Sequence, residues 1–273
     1  MNGMARYLVP YIMALAIPVL FLFQFTTTVG ASLDSCFQNQ RASPVDMKNK
    51  TLGQAQIQIT KDWQQELPAL GIQGPRHLLR RVGPLLVGVS LERYSPNEYA
   101  PTFHVHFLGN VERGFCLTMY SGVAPGLRSP EEVIEVSAHK ERYKDVARRL
   151  VEQAPLSLQG PLTVKEVVEA YRKYSKTRGT DQVSNLYGDC IKLLSCYGYA
   201  AEAEEMLNEI LEMPLRDGNF KWFGSRRAFE EQMREAIAHP DTVWETVKQQ
   251  IEQHKVGKLP YEEFAGAVPF GRT

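Results

Sequence analysis

Three runs rich in β-branched and aromatic residues, at 85–94, 102–108 and 115–121, are parted by two short stretches of turn composition, SPNEYAP and GNVERG. Val, Thr, Phe and Tyr suit a pleated, half-buried surface, whereas Gly, Pro, Asn and Ser interrupt one. Links this short join neighbouring strands antiparallel, because a parallel pair needs a crossover of about a dozen residues or more. An antiparallel meander of three strands or more is therefore expected, and the rest of the chain has to pack around it.

The flanks read as helix. Thr60 is placed to cap a short helix carrying Trp63 and Leu67, limited by Pro68 and Gly71. Pro75 is placed to open a second one through HLLRRV that Gly83 and Pro84 end. Ser129, Pro130 and Glu132 supply an N-cap, a first-turn proline and a capping-box acid for a helix reaching about Gln153, whose Val133, Val136, Tyr143, Val146 and Leu150 would cover one sheet face. Together these make an α+β domain at 51–157.

Beyond Pro155 no further strand is expected, so 158–273 read as a helical domain. Thr163 and Glu166 form a capping box for a helix to about Lys176. Residues 182–213 read as a helical hairpin turned near 197–199, and helices at 225–238 and 241–254 are separated by His239 and Pro240. The hairpin resembles one tetratricopeptide unit in Gly198 at the turn, Ala203 on the second helix and Pro214 just past its end. It covers one repeat with no second copy, and a single unit builds no concave groove, so ordinary helical packing is the expectation.

The N-terminus is different in kind. From Tyr7 to Leu33 there is no charged residue, and about 20 apolar residues are enough to cross a bilayer. Residues 1–33 are expected to be an apolar helix outside the core, acting as a signal or single-pass anchor, and 34–50 a polar linker. Arg6 before the run and Arg41, Lys48 and Lys50 after it nearly balance, so orientation stays open. Translation from Met47 is the alternative, and it makes the product cytoplasmic.

The 31 basic and 31 acidic side chains cancel, which leaves no global field to draw nucleic acid. GPLLVG and GVAPG lack the lysine and spacing of a phosphate loop, no nucleophile-elbow pattern occurs, and no cofactor is expected. Cys36, Cys116, Cys190 and Cys196 are too few and scattered for a disulfide framework.

Three constellations remain as candidate sites. His104 and His106 stand two apart in a strand and so share a face, where Glu92, or Glu98, would complete a metal site for a hydrolase. Pairing Glu92 with His104 and Ser90 with His106 would place that carboxylate beside them. Arg76, His77, Arg80 and Arg81 form a basic cluster with Arg76 and Arg80 four apart on one helix face. Phe220, Trp222 and Phe223 follow a turn at Asp217 and Gly218 and are candidates for a partner-binding element. The leading expectation is a noncatalytic interaction protein, in the manner of an accessory or immunity-type protein, whose partner is another protein. The metal-dependent hydrolase and a membrane-tethered surface domain are the alternatives.

Overall fold

The expected meander is present and extends further toward the N-terminus than its composition announces. The computed structural model describes residues 44–111, 118–124, 131–177 and 182–270. Strands β1 (Gly71–Gln73), β2 (His77–Val82), β3 (Leu85–Ser95), β4 (Glu98–Phe107) and β5 (Met119–Gly122) pair in chain order, each antiparallel to the next. Two short strands complete the sheet. β6 (Ile134–Glu135) pairs with Tyr99 and Glu98 of β4, and β7 (Tyr261–Glu262) runs parallel to Arg81 and Val82 of β2.

Among the described residues seven α-helices surround it: α1 (Pro44–Glu66), α2 (His139–Gln153), α3 (Val164–Thr177), α4 (Val183–Cys196), α5 (Ala200–Glu212), α6 (Arg226–Ala238) and α7 (Pro240–Gln253). The chain is thus α+β, as the pattern of runs implies. Thr163 and Glu166 exchange the bonds of a capping box at the start of α3, the backbone N–H of Thr163 donating to the Glu166 carboxylate at 2.7 Å. Ser225 caps α6 by accepting from the Ala228 N–H at 3.1 Å, and Pro240 begins α7 where its missing N–H is not needed.

Both faces of the sheet are covered, which explains the near-continuous apolar run LLVGVSL in β3. Leu78, Val82, Leu85, Val87, Val89, Phe103, Val105 and Phe107 face a large core with Trp63 of α1, Tyr143 and Leu150 of α2, Tyr171 of α3, and Phe229 of α6. On the other face Leu79, Leu86 and Leu108 meet Val247 of α7 with Val256 and Leu259 after it. Each buried side chain of leucine size is worth about 2 kcal/mol, so the two-sided cover is the main source of stability. The large core includes Leu156, Leu158 and Leu162 and passes residue 157 without a break.

Several local readings are corrected. HLLRRV is not a helix but strand β2, flanked on both sides by β1 and β3; its alternation sends Leu78, Arg80 and Val82 one way and His77, Leu79 and Arg81 the other. Sheet pairing overrides the helical propensity of Leu and Arg here. Thr60 does not start a helix: α1 already runs from Pro44, taking in residues 44–50 of the expected linker, and the Thr60 hydroxyl donates to the Pro75 carbonyl instead. Glu132 opens no helix, since β6 and a short 3-10 turn at Val136–Ala138 intervene and α2 begins at His139; Ser129 and Pro130 lie outside the described residues. β7 was not anticipated at all, because two residues carry no periodicity. Among the described residues no helix is long and apolar enough to cross a membrane, and the leader at 1–33 lies outside them.

Candidate functional site

A cleft of about 970 Å3 opens where the chain leaving β4 meets α4, α6 and the start of α7. One wall is α4, which presents Gln182 at its N-cap and then Asn185, Asp189 and Lys192. Their spacing of three, four and three places them in one stripe of a helix whose other faces carry Leu186, Ile191, Leu193 and Leu194 into the core. The facing wall is α6, with Ala228, Glu231, Gln232 and Glu235 at similar spacing, and Thr242 and Thr246 of α7 continue it. The strand end can approach these helices only because residue 109 is glycine. A Cβ there would lie 2.3 Å from the Phe107 ring and 2.9 Å from the Val243 side chain.

Asn110 ties the cleft together. Its Nδ2 donates to Asp189 Oδ1 at 2.8 Å, and its Oδ1 accepts from Lys192 Nζ at 2.7 Å. Asp189 is only 3% exposed, so a carboxylate is held in the wall by an amide that also engages a lysine. Hydrogen bonds to charged groups of this kind contribute roughly 1.5–3 kcal/mol each and keep the site's shape before anything binds. At the mouth stand two large apolar side chains, Val111 at 83% and Trp222 at 69% exposure.

The aromatic trio divides its roles. Phe220 is fully buried, tilted against Phe229 at 5.3 Å with the Arg226 guanidinium above it, and anchors the loop. Phe223 packs edge-on against the same Phe229 ring at 4.8 Å and lines the cleft. Trp222 is left at the surface with Lys221 Nζ 5.4 Å from its ring. The expected partner-binding element therefore supplies two cleft residues and one core residue.

The basic cluster is dispersed by the strand geometry. Arg80 points into the large core, where its guanidinium donates to the carbonyls of Gly160 and Ser157 and to Glu262. Arg81 points to the opposite face and lies over the Tyr261 ring at 4.6 Å, while Arg76 sits in the turn before β2. The compact cationic face expected of a helix is not formed.

His104 and His106 do share a sheet face, but the register differs from the one that would bring Glu92 to them. Gly88 stands opposite His104 and Leu86 opposite His106, while Glu92 is opposite Ala100 and accepts a hydrogen bond from the Ser90 hydroxyl. Glu98 pairs across with Glu135, at the other end of β4. Other imidazoles take the adjacent places: His77 meets His104 edge to face at 5.8 Å, and His254 meets His106 likewise at 5.8 Å. Among the described residues no group of three or more His, Cys, Asp or Glu side chains is arranged to hold a metal ion. His104 is fully buried, neither ring nitrogen has a hydrogen-bond partner among the described residues, and burial, followed by the nearness of His77 and His106, drives its pKa down to about 3. It is a neutral core imidazole at any ordinary pH.

A second buried polar chain links Asp62, His139, Tyr99 and Trp63, with His139 Nε2 2.9 Å from Asp62 Oδ2. Burial pushes the Asp62 carboxyl up, but hydrogen bonds from Lys140, His139 and Gln58 outweigh it and leave it below its ordinary value. The chain joins α1, β4 and α2, and none of its four residues lines the cleft.

Sequence reasoning missed Asn110, Asp189 and Lys192. Asn110 lies in a stretch whose composition signals only a turn, and the one available clue was the polar stripe on the otherwise apolar α4. Searches against family descriptions, curated proteins and solved structures found no match for this chain.

Proposed function

We propose that the chain is a noncatalytic binding protein that takes up a segment of a partner protein in the cleft between α4, α6 and α7. The observation that supports this reading is the cleft's combination of a preformed polar floor with two large apolar side chains exposed at its mouth. Ligand sites are concave, pre-shaped and supplied with a few fixed polar groups, and exposed tryptophan is enriched where proteins meet. Isolated apolar side chains on a surface need no explanation, but two at one cleft mouth form a contact patch. An accessory or immunity-type role would be one form of such binding.

Site-directed photo-cross-linking in the native host tests the reading. A benzophenone amino acid at Val111 or Trp222 is expected to yield a discrete higher-mass adduct, whereas one at Tyr94, 60% exposed and not part of the cleft, is expected to yield none. Adding Gln232→Trp, which fills the cleft from an exposed position on α6, should abolish the adducts. Equal cross-linking at all three positions, or none at the cleft mouth, removes the proposal.

A further inference from the structure

We infer that the partner segment carries a basic side chain next to an apolar one, an inference that rests on reading the cleft as the binding site. The chain has no formal net charge, so any preference for a charged ligand must arise locally. The cleft lining holds three carboxylates, Asp189, Glu231 and Glu235, against one ammonium, Lys192. Asp189 and Lys192, opposite charges bridged by the same Asn110 amide, offset each other, and the carboxylates in excess are Glu231 and Glu235.

Glu231 and Glu235 are four apart on α6, so their carboxylates stand on one side of the helix, one turn from each other. Each has a modest partner of its own. Arg227 Nε reaches Glu231 at 2.8 Å with both side chains mostly in solvent, and His239 lies 3.9 Å from Glu235 and is charged only when protonated. Exposed pairs of this kind hold little free energy, so a ligand cation that excludes water at the cleft displaces them readily. The apolar half of the specificity falls to Trp222 and Val111, whose exposed surfaces gain by being covered. The Lys221 ammonium already lies 5.4 Å from the Trp222 ring, so the ring meets the apolar neighbour and the ligand's cation falls to the two glutamates.

The three tryptophans give a direct readout, since only Trp222 is strongly exposed while Trp63 is fully buried. Full-length protein labelled with 5-fluorotryptophan is titrated with a short acetylated peptide alternating leucine and lysine, and with the same peptide bearing glutamine or glutamate in place of lysine. The Trp222 fluorine resonance, assigned by its loss in Trp222→Phe, is expected to shift with the lysine peptide, about tenfold more tightly than with the glutamine peptide, and the Trp63 resonance to stay put. Glu231→Gln with Glu235→Gln, both at exposed positions that leave the fold intact, should erase the advantage of lysine. Equal binding of all three peptides, or an unchanged lysine preference in the double variant, overturns the charge assignment and leaves the cleft reading standing. A Trp222 resonance that none of the peptides moves also overturns it, and the cross-linking adducts then decide separately whether the cleft binds anything.

Discussion

The Tyr99 hydroxyl donates a hydrogen bond to His139 Nδ1 across 2.8 Å, and the direction of that bond follows from its neighbours. The Trp63 indole N–H is a donor only and reaches the Tyr99 oxygen at 3.1 Å, while the Asp62 carboxylate is an acceptor only and faces His139 Nε2. Burial lowers the His139 pKa and favours the neutral ring, which with these neighbours is the tautomer protonated at Nε2. Tyr99→Phe strands both the indole N–H and Nδ1 in a buried place, where each unsatisfied group costs roughly 1–3 kcal/mol. Urea unfolding of this variant should show a loss of about 2–3 kcal/mol. A loss below about 0.5 kcal/mol would mean that the chain contributes nothing to holding α1 against α2.

His104 makes stability fall in acid. Its folded pKa of about 3 lies well below the ordinary value of 6.5, so between those two values the unfolded chain binds a proton that the folded chain refuses. Stability from this group is complete above pH 6.5 and is lost as pH drops, by about 2 kcal/mol at pH 5. His104→Leu removes two unpartnered nitrogens from the core and should match or exceed the wild type at pH 7. Chemical unfolding at pH 7 and pH 5 should show the variant's decline to be smaller by that same amount, and an identical decline would place the sensitivity elsewhere.

Gly88 and Gly160 separate two reasons for needing glycine. A Cβ at Gly88 would lie 1.9 Å from the Leu78 carbonyl oxygen, so Gly88→Ala has to break the β2–β3 pairing and should prevent accumulation of folded protein. At Gly160 nothing lies within 4 Å, but φ is +76°, so Gly160→Ala meets only backbone strain, about 1 kcal/mol. Soluble yield of both variants and a thermal melt of Gly160→Ala check the contrast, and a Gly88→Ala protein that is recovered folded and melts like Gly160→Ala would contradict it.

The amide bridge in the cleft is testable apart from any ligand. Asn110→Ala leaves Asp189, almost wholly buried, without its amide donor, and a loss of about 1–3 kcal/mol is expected. Asn110→Ala combined with Asp189→Ala should cost less than the separate losses added together, because the two side chains act as a unit.

The apolar leader carries its own expectation. The full chain should sediment with membranes and a chain begun at Met47 should not, since the latter keeps all but the first three residues of α1. Both chains remaining in the supernatant would remove the tether.

Helices α3 to α7 were legible within a residue or two because their signals are local: the Thr163 and Glu166 box, Gly198 in the left-handed conformation, and Pro240 at the start of a helix. The meander was legible from composition and short links. Strand β2 was not, because two consecutive arginines hide the alternation that a strand needs, and only the structure reveals that Arg80 satisfies itself on carbonyls and Glu262 brought from far along the chain. The same limit applies to the cleft. The rim residue Trp222 stood out as an aromatic after a turn, whereas Asn110, Asp189 and Lys192 acquire meaning only when folding brings the strand end to α4.

The pairing of β2 with β7 bears on how this protein is made. Arg81 donates its backbone N–H to Pro260, and the Gln73 amide donates to the His254 carbonyl, 181 residues later. During synthesis β2 emerges long before either partner exists, and the sheet face bearing Leu79 and Leu86 waits uncovered until α7 and the segment after it leave the ribosome. Closure of that face therefore waits on a segment far along the chain, and the contacts that complete the sheet are among the last to become available.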